Sequence, residues 1–276
     1  HGLGLLQGAF GVGFIFGPAF GGVLSNYGST VPFIGAAIIT AITFLLTFFT
    51  LRESLTAEER KSSVPTQSAR FSLAPLIRNP DLQLIIGVTF FSTLAFSALP
   101  ATFALYAERV LFVDSVPANR VQLAIGLMLT LHGMLIVITQ VAILQRLIQR
   151  LGERRVLVIG DLALVVAMVG VGLAGVPIVA VIAFMPFAFG QGVTQPSLQS
   201  LMTRFGGRGT GGRLLGIYQS TRSLALIFGP IWAGYVFEGI SPRAVFMLGA
   251  VFMLVATFLA VKLLRIPAQH NPLALD

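Results

Sequence analysis

The sequence predicts an all-α membrane protein with about eight transmembrane helices, on three observations. Of 276 residues, 55% are hydrophobic and only 10% are charged, whereas soluble domains carry roughly 25% charged residues. The mean hydropathy is +0.89, and apolar stretches long enough to cross a ~30 Å hydrocarbon core, which takes roughly 20 residues, recur along the chain. Two glycine-rich segments, 4–22 and 216–234, also resemble one another at a fixed offset.

The apolar stretches define the expected spans. They cover residues 3–25, 31–51, 82–106, 122–145, 155–175, 178–203, 214–237 and 243–265. The first is not a signal peptide, because it has no basic region before its apolar core and further spans follow it. A multi-pass protein embedded in the lipid bilayer is therefore expected.

The repeat indicates an internal duplication. Gly4-Leu5-Leu6-Gln7 recurs as Gly216-Ile217-Tyr218-Gln219, with its first and last residues identical. Ile15-Phe16-Gly17-Pro18 recurs unchanged as Ile227-Phe228-Gly229-Pro230. The copies lie in the first and the seventh expected helix, six helices apart, so a complete duplicated protein has two sets of six, and four helices are expected ahead of His1. The predicted organisation is 1–51 for the last two helices of a first bundle, 52–81 for a central loop, 82–265 for a second six-helix bundle and 266–276 for a tail.

Basic residues predict the orientation. The net charge is +8, but Lys and Arg lie between apolar segments and form no continuous stripe, so no nucleic-acid partner is expected. With His1 in the cytoplasm, the inward connections and tail carry Arg52, Arg60, Lys61, Arg70, Arg78, Arg146, Arg150, Arg154, Arg155, Arg204, Arg208, Arg213, Lys262 and Arg265, whereas the outward connections carry Arg109, Arg120 and Arg243. This bias places both chain ends and the 52–80 loop on the cytoplasmic side of the plasma (inner) membrane.

Two motifs carry a family resemblance. The first is Gly13-x-x-x-Gly17-Pro18-x-x-Gly21-Gly22, followed after the next helix by Arg52-Glu53-Ser54-Leu55. The second is Gln195-Pro196-Ser197-Leu198-Gln199-Ser200, followed by Ser223-Leu224-x-x-Ile227-x-Gly229-Pro230. They resemble the antiporter motif and the tenth and eleventh helices of the major facilitator superfamily, in particular its tetracycline-type drug:proton antiporters. Leu151-Gly152-Glu153-Arg154-Arg155 resembles the end of that family's loop motif but departs from it at Gln149 and Glu153.

The resemblance implies a major facilitator fold of two six-helix bundles, of which this chain covers helices 5–12. It implies a secondary transporter that exports a small amphipathic molecule by proton antiport, with the small molecule and protons as partners, no cofactor and a monomeric state. Two alternatives stay open: a carrier of a sugar or other metabolite on the same fold, and a non-transporting membrane receptor or scaffold.

The glycine motifs predict close helix packing. Gly13, Gly17 and Gly21 are spaced by four residues, and Ala225, Gly229 and Ala233 repeat this ridge in the second copy. Small residues let helix backbones approach in lipid, and Pro18 and Pro230 each remove a backbone hydrogen bond. We expect these motifs, which include Gly22 and Gly234, to form a seam between the bundles; the alternative is generic helix packing.

Ionisable residues within the expected spans are further candidates, because charge at bilayer depth is costly. His132 lies near mid-membrane, either as a proton-coupling group or as a neutral histidine bonded across helices. Asp161 and Arg222 lie roughly 9 Å and 13 Å from the inner ends of their helices at 1.5 Å per residue. They are expected to pair as a structural ion bridge, or Arg222 extends to the inner surface or faces the substrate.

A polar stripe predicts the substrate side of the tenth helix. Gln191, Gln195 and Gln199 recur every four residues on an otherwise apolar helix and so share one face. In the resembled family this helix lines the central cavity, which makes these glutamines candidate substrate ligands; the alternative is hydrogen bonding between helices. Ser92, Thr93 and Phe96 are weaker candidates for the same cavity.

Catalytic chemistry finds little support in the sequence. The three histidines have no metal-ligand spacing, and the chain has no cysteine. Glycine-rich residues 206–213 lack the strand and lysine of a nucleotide-binding loop. Neither an enzyme activity nor a metal site is expected.

The orientation can be tested with one introduced thiol, since the chain has no cysteine of its own. We expect Ser62→Cys to react with a membrane-impermeant maleimide only after cells are opened, because the 52–80 loop is predicted to be cytoplasmic. Labelling of intact cells would reverse the predicted topology.

Overall fold

The computed structural model describes residues 13, 16–50, 79–113, 116–117, 120–204 and 211–265, and every regular element within them is helical. We number eight helices in chain order. They are α1 (16–25), α2 (Val31–Thr50), α3 (Pro80–Leu111), α4 (Val121–Leu151), α5 (Glu153–Leu173), α6 (Pro177–Arg204), α7 (Gly211–Gly239) and α8 (Pro242–Leu264). Where the structure describes them, the predicted apolar stretches thus coincide with helices, and most boundaries agree within a few residues.

The expected count of eight spans needs correction. Within the described residues, six helices are long and apolar enough to cross a membrane: α2, α3, α4, α5, α6 and α8. Helix α7 has the length, but it carries Arg222, Gln219 and Glu238, which lower its hydropathy. The first expected span, 3–25, lies largely outside the described residues, as do most of the 52–81 loop and the tail.

The helix boundaries have local causes. Asn79 precedes α3 and accepts a hydrogen bond from the backbone N–H of Asp81 at 3.0 Å. Ser241 does the same for α8, accepting from Ala244 at 3.1 Å, and a proline follows each of these caps. Helices α4 and α5 meet at Gly152, whose positive φ of 79° suits glycine. The inward connection expected at 146–155 is therefore a single-residue turn, because α4 continues to Leu151.

Two of the long helices are irregular. Helix α3 consists of α-helical segments Pro80–Phe96 and Ala98–Tyr106 and a π-helical turn, Ala107–Leu111. Helix α4 contains a π-helical stretch at Thr139–Leu144. Such insertions rotate the faces before and after them, so residues far apart on one helix do not keep simple 3.6-residue spacing.

Glycines hold the centre of the bundle together. Helices α5 and α6 make the most extensive contact, and α8 packs on α5 and α3. A Cβ on Gly160 of α5 would lie 2.5 Å from Val193 Cγ2 and 2.6 Å from Thr194 Oγ1, and one on Gly190 of α6 would lie 2.5 Å from Leu164 Cγ. These distances are too short for any other residue, so glycine sets the spacing between the two helices.

The extracellular-side ends expected from the charge bias are tied by polar contacts. The Tyr106 hydroxyl of α3 lies 2.7 Å from the carbonyl oxygen of Val171 and 2.8 Å from that of Ala174, at the end of α5. Arg109 of α3 forms an ion pair with Glu238 of α7 at 2.9 Å. Helix α3 is thereby connected to two neighbours at one end, beside the carbonyl groups that a helix end leaves unpaired.

Helix α2 has a different environment, because none of its residues is buried. The hydroxyls of Thr40 and Thr43 donate to the carbonyl oxygens four residues earlier, each at 2.8 Å. Its apolar side chains and internally paired hydroxyls match a helix that faces hydrocarbon. Gly35 lies against Leu24 and Phe20 and joins α2 to α1.

The α5–α6 contact yields a stability test. Gly160→Ala places a methyl group against Val193 and Thr194, and we expect the overpacking to cost about 1–3 kcal/mol, although alanine favours a helix over glycine by about 1 kcal/mol. Gly239→Ala is the matched control, because a Cβ there meets nothing within 4 Å.

The measurement is the melting temperature of the detergent-solubilised full-length protein. Gly160→Ala should lower it and Gly239→Ala should leave it unchanged or slightly raised. Equal melting temperatures for the two variants would show that the glycine contact does not limit stability.

Candidate functional site

Most polar side chains buried in the membrane-spanning helices lie in α3, α4, α5 and α6. Those with almost no exposure are Thr89, Ser92, Thr93, Ser97, Thr102, His132, Thr139, Asp161, Thr194 and Ser197. Several bond only to the backbone of their own helix, as Thr89, Thr102 and Thr139 do. The contacts between helices therefore define the candidate site.

The first such contact joins α4 and α6. His132 Nε2 lies 3.2 Å from Gln191 Oε1, and since an amide oxygen only accepts, Nε2 donates in this arrangement. The imidazole is 1% exposed, and its ring centroid lies 5.1 Å from that of Phe184 and 5.2 Å from that of Phe187. His132 thus makes a cross-helix hydrogen bond, and its proton-coupling role stays a prediction.

The second contact joins α6 and α7. The Tyr218 hydroxyl donates to Gln195 Oε1 at 2.9 Å. Gln191 and Gln195 are both half-buried, whereas Gln199, the third member of the predicted stripe, is exposed. Two amides of the stripe thus bond to neighbouring helices, and the role of these glutamines as substrate ligands stays a prediction.

Arg222 lies beside the second contact. Its guanidinium carbon lies 5.7 Å from the centroid of the Tyr218 ring, and Nη1 lies 3.5 Å from Gln219 Oε1. Nε is buried and has no hydrogen-bond partner among the described residues. Its neighbours on α7 are thus the ring and hydroxyl of Tyr218 and the amide oxygen of Gln219.

The expected ion bridge between Asp161 and Arg222 is wrong for the described residues. Asp161 is fully buried and accepts a hydrogen bond from Thr194 Oγ1 at 3.2 Å, and the ion pair found in this part of the chain joins Arg109 and Glu238. Asp161 contacts Thr194 of α6, whereas the contacts of Arg222 are with Tyr218 and Gln219 on its own helix. Asp161 belongs to the α5–α6 contact instead.

The three predicted site residues on α3 have different surroundings. Phe96 is half-buried and its ring centroid lies 6.2 Å from that of Phe187, which brings it to the aromatic surroundings of His132. Ser92 and Thr93 are buried, and neither hydroxyl has a hydrogen-bond partner in the described residues. Phe96 therefore joins the site, and Ser92 and Thr93 are unused donors on the same helix.

The first glycine motif packs differently from the prediction. A Cβ on Gly13, Gly17 or Gly21 would meet nothing within 4 Å, so the predicted ridge makes no close contact in the described residues. The close approach is made by Gly22, where a Cβ would lie 3.2 Å from Gly126 Cα of α4; one on Gly126 would lie 2.7 Å from the carbonyl oxygen of Pro18. The motif does join α1 to the second bundle, through its Pro18–Gly22 side.

The second copy of the motif packs inside the second bundle. A Cβ on Gly229 would overlap the side chain of Ser97 in α3, whereas Pro230 and Gly234 are exposed. Within the described residues, the close contact of Gly229 is with α3, and the seam between the bundles stays a prediction. The repeated sequence has different partners in its two positions.

Sequence reasoning missed four residues of the site: Tyr218, Phe184, Phe187 and Gly126. Tyr218 lies four residues before Arg222 and so on the same helix face, a spacing that would have found it. The two phenylalanines are three residues apart and precede Gln191 on α6. Gly126 lies outside both repeats, and nothing in the sequence distinguishes it from other small residues.

Comparison with known proteins places this arrangement in a family. The model of the Major Facilitator Superfamily matches residues 1–116 and 120–275. The structure of the human organic anion transporter MFSD10 (TETRAN) superposes with a TM-score of 0.65 at 24% identity, over 91% of this chain and 61% of that one. The helical arrangement is therefore that of a known transporter fold.

Two relatives found by sequence comparison agree with this assignment. The class D tetracycline resistance protein of Salmonella ordonez is 29% identical over 241 residues, which are 85% of this chain and 57% of that protein. Multidrug resistance protein 2 of Bacillus subtilis is 28% identical over 243 residues, 86% of this chain and 58% of that protein. The chain thus spans less than two thirds of the length of either relative. Since the family model covers nearly all of it, the chain belongs to the Major Facilitator Superfamily of multi-pass membrane transporters.

Proposed function

We propose that this chain belongs to a secondary active transporter that exports a small amphipathic, drug-like molecule across the plasma membrane in exchange for protons. The observation that carries the proposal is the polar face of α6, where half-buried Gln191 and Gln195 bond to α4 and α7 within otherwise apolar helices. The relatives' names, which refer to tetracycline and multidrug resistance, favour a drug-like substrate over a sugar, although a fold by itself does not fix a substrate.

The two glutamines can bind substrate and connect helices at once. In both contacts the amide oxygen is the acceptor, so each amide nitrogen keeps two N–H donors that these contacts do not use. Half-buried Phe96, whose ring centroid lies 6.2 Å from that of Phe187, offers an apolar surface for the hydrophobic part of a ligand, whereas Phe184 and Phe187 are fully buried around His132. A few polar groups among aromatic side chains are typical of small-molecule sites.

The proposed mechanism is alternating access without a covalent intermediate. The glycine contact between α5 and α6 and the cross-helix hydrogen bonds hold the second bundle as one unit. This unit rocks against the first bundle about the α1–α4 crossing at Gly22 and Gly126. The chain ends and the 52–80 loop face the cytoplasm in this scheme.

Transport by the full-length protein tests the proposal directly. In everted membrane vesicles energised with a proton gradient, we expect uptake of tetracycline or ethidium that a protonophore abolishes. Uptake of maltose alone would identify a metabolite carrier. The absence of flux for all three compounds would favour a receptor or scaffold.

A pair of variants separates substrate binding from helix connection at Gln195. Gln195→Leu removes both the bond to Tyr218 and the free N–H donors, whereas Tyr218→Phe removes only the hydroxyl. If Gln195 binds substrate through a bond of ~0.5–1.5 kcal/mol, Gln195→Leu should weaken the apparent affinity roughly two- to twelvefold, and Tyr218→Phe should weaken it much less.

Apparent affinity and melting temperature are measured for each variant in the full-length protein. Both variants should lower the melting temperature similarly, because both break the α6–α7 bond. A lowered melting temperature with unchanged affinity in Gln195→Leu would assign the glutamine to helix connection alone.

A further inference from the structure

Arg222 occupies the inward stripe of α7. The buried positions of this helix include Leu214, Tyr218, Ala225, Gly229 and Ala233. Arg222 lies four residues after Tyr218 and three before Ala225, so its side chain leaves the helix on this stripe. Its neighbours Gln219, Ser220 and Ser223 are exposed. The guanidinium is therefore directed to the interior of the protein, away from lipid.

No carboxylate neutralises this charge within the described residues. The ion pair found there is Arg109–Glu238, and Asp161 accepts its hydrogen bond from Thr194. Arg222 Nε is buried without a partner, and the 3.5 Å contact of Nη1 with Gln219 is at the long limit for a hydrogen bond. A cation at membrane depth with unused donors is costly and is retained where it has a function.

The surroundings of Arg222 suit an anion. The guanidinium carbon lies 5.7 Å from the centroid of the Tyr218 ring, a cation–π arrangement that helps to position the guanidinium group. The Tyr218 hydroxyl donates a hydrogen bond to Gln195 Oε1 at 2.9 Å. A guanidinium presents paired N–H donors that match a carboxylate in a bidentate geometry. Cation, aromatic support and amide thus adjoin on the contacting faces of α7 and α6.

We propose that Arg222 is the recognition site for a carboxylate, or a similar planar anionic group, on the transported molecule. Tyr218 is the positioning residue for the guanidinium, and Gln195 bonds a neutral polar group next to the anion. This inference rests on the proposed transport function and adds to its substrates the amphipathic aromatic molecules that carry such a group. An acidic side chain from elsewhere in the longer protein is the competing source of the same chemistry.

Two probes of the same size show how a negative charge on the ligand affects binding. Dansylglycine carries a carboxylate, and dansylglycinamide replaces it with a neutral amide. Binding of each to the purified full-length protein in nanodiscs is measured by dansyl fluorescence. We expect the carboxylate to bind about tenfold more tightly, since charge-assisted hydrogen bonds are roughly twice as strong as neutral ones.

Three variants test whether Arg222 causes the preference for the carboxylate probe. Arg222→Gln should remove it, with the amide probe still bound, which shows that the site remains folded. Arg222→Lys should restore part of it, because lysine supplies the charge without the planar fork. Arg109→Gln is the matched control: it removes an arginine that is paired with Glu238 on the outer side, and the preference should stay at about tenfold.

The contrary outcomes are distinct. Equal binding of the two probes to the wild-type protein, or a preference that survives in Arg222→Gln, overturns the assignment. Equal binding together with a lowered melting temperature in Arg222→Gln identifies a protein carboxylate as the partner. If the vesicle assay shows export of ethidium while dansylglycine is not bound, the anion site is refuted and the transport function stands; if the vesicles show no flux, the transport function itself fails.

Discussion

The close approach of α5 and α6 is the constraint on which the rest of the second bundle depends. In hydrocarbon, each backbone polar group must be paired inside its own helix, and apolar side chains gain little by leaving lipid for protein. Helix association then depends on close packing. Gly160 and Gly190 permit it, since a side chain at either would overlap its neighbours, and α8 packs on α5 and α3 around this pair.

The position of α6 in turn fixes the polar contacts. Its face with Gly190 and Thr194 lies against α5, and the neighbouring face, with Gln191 and Gln195 each one residue further along the helix, meets α4 and α7. Each cross-helix hydrogen bond contributes only ~0.5–1.5 kcal/mol. These bonds select the orientation of helices that packing has already brought together, and they place amide donors, aromatic rings and the Arg222 cation near one another.

Hydropathy predicted the long helices because spanning a bilayer demands a length and a composition that are visible in any window of the sequence. The spacing of Gln191, Gln195 and Gln199 likewise predicted a shared face. Their partners could not be predicted, since a face does not reveal which helix lies opposite. The same limit explains the wrong Asp161–Arg222 pair, since distance along two helices does not tell which residue lies opposite which. It also explains the glycine repeat, whose equivalent residues Gly17 and Gly229 have different surroundings.

The two faces of α6 differ in how freely they can vary during evolution. A larger residue on the glycine face would displace α5. Such a substitution destabilises the folded protein and is therefore selected against. The glutamine face contacts its neighbours through two hydrogen bonds, and losing one of them costs only ~0.5–1.5 kcal/mol. A polar substitution on that face therefore changes the groups it presents while α5 and α6 still pack together.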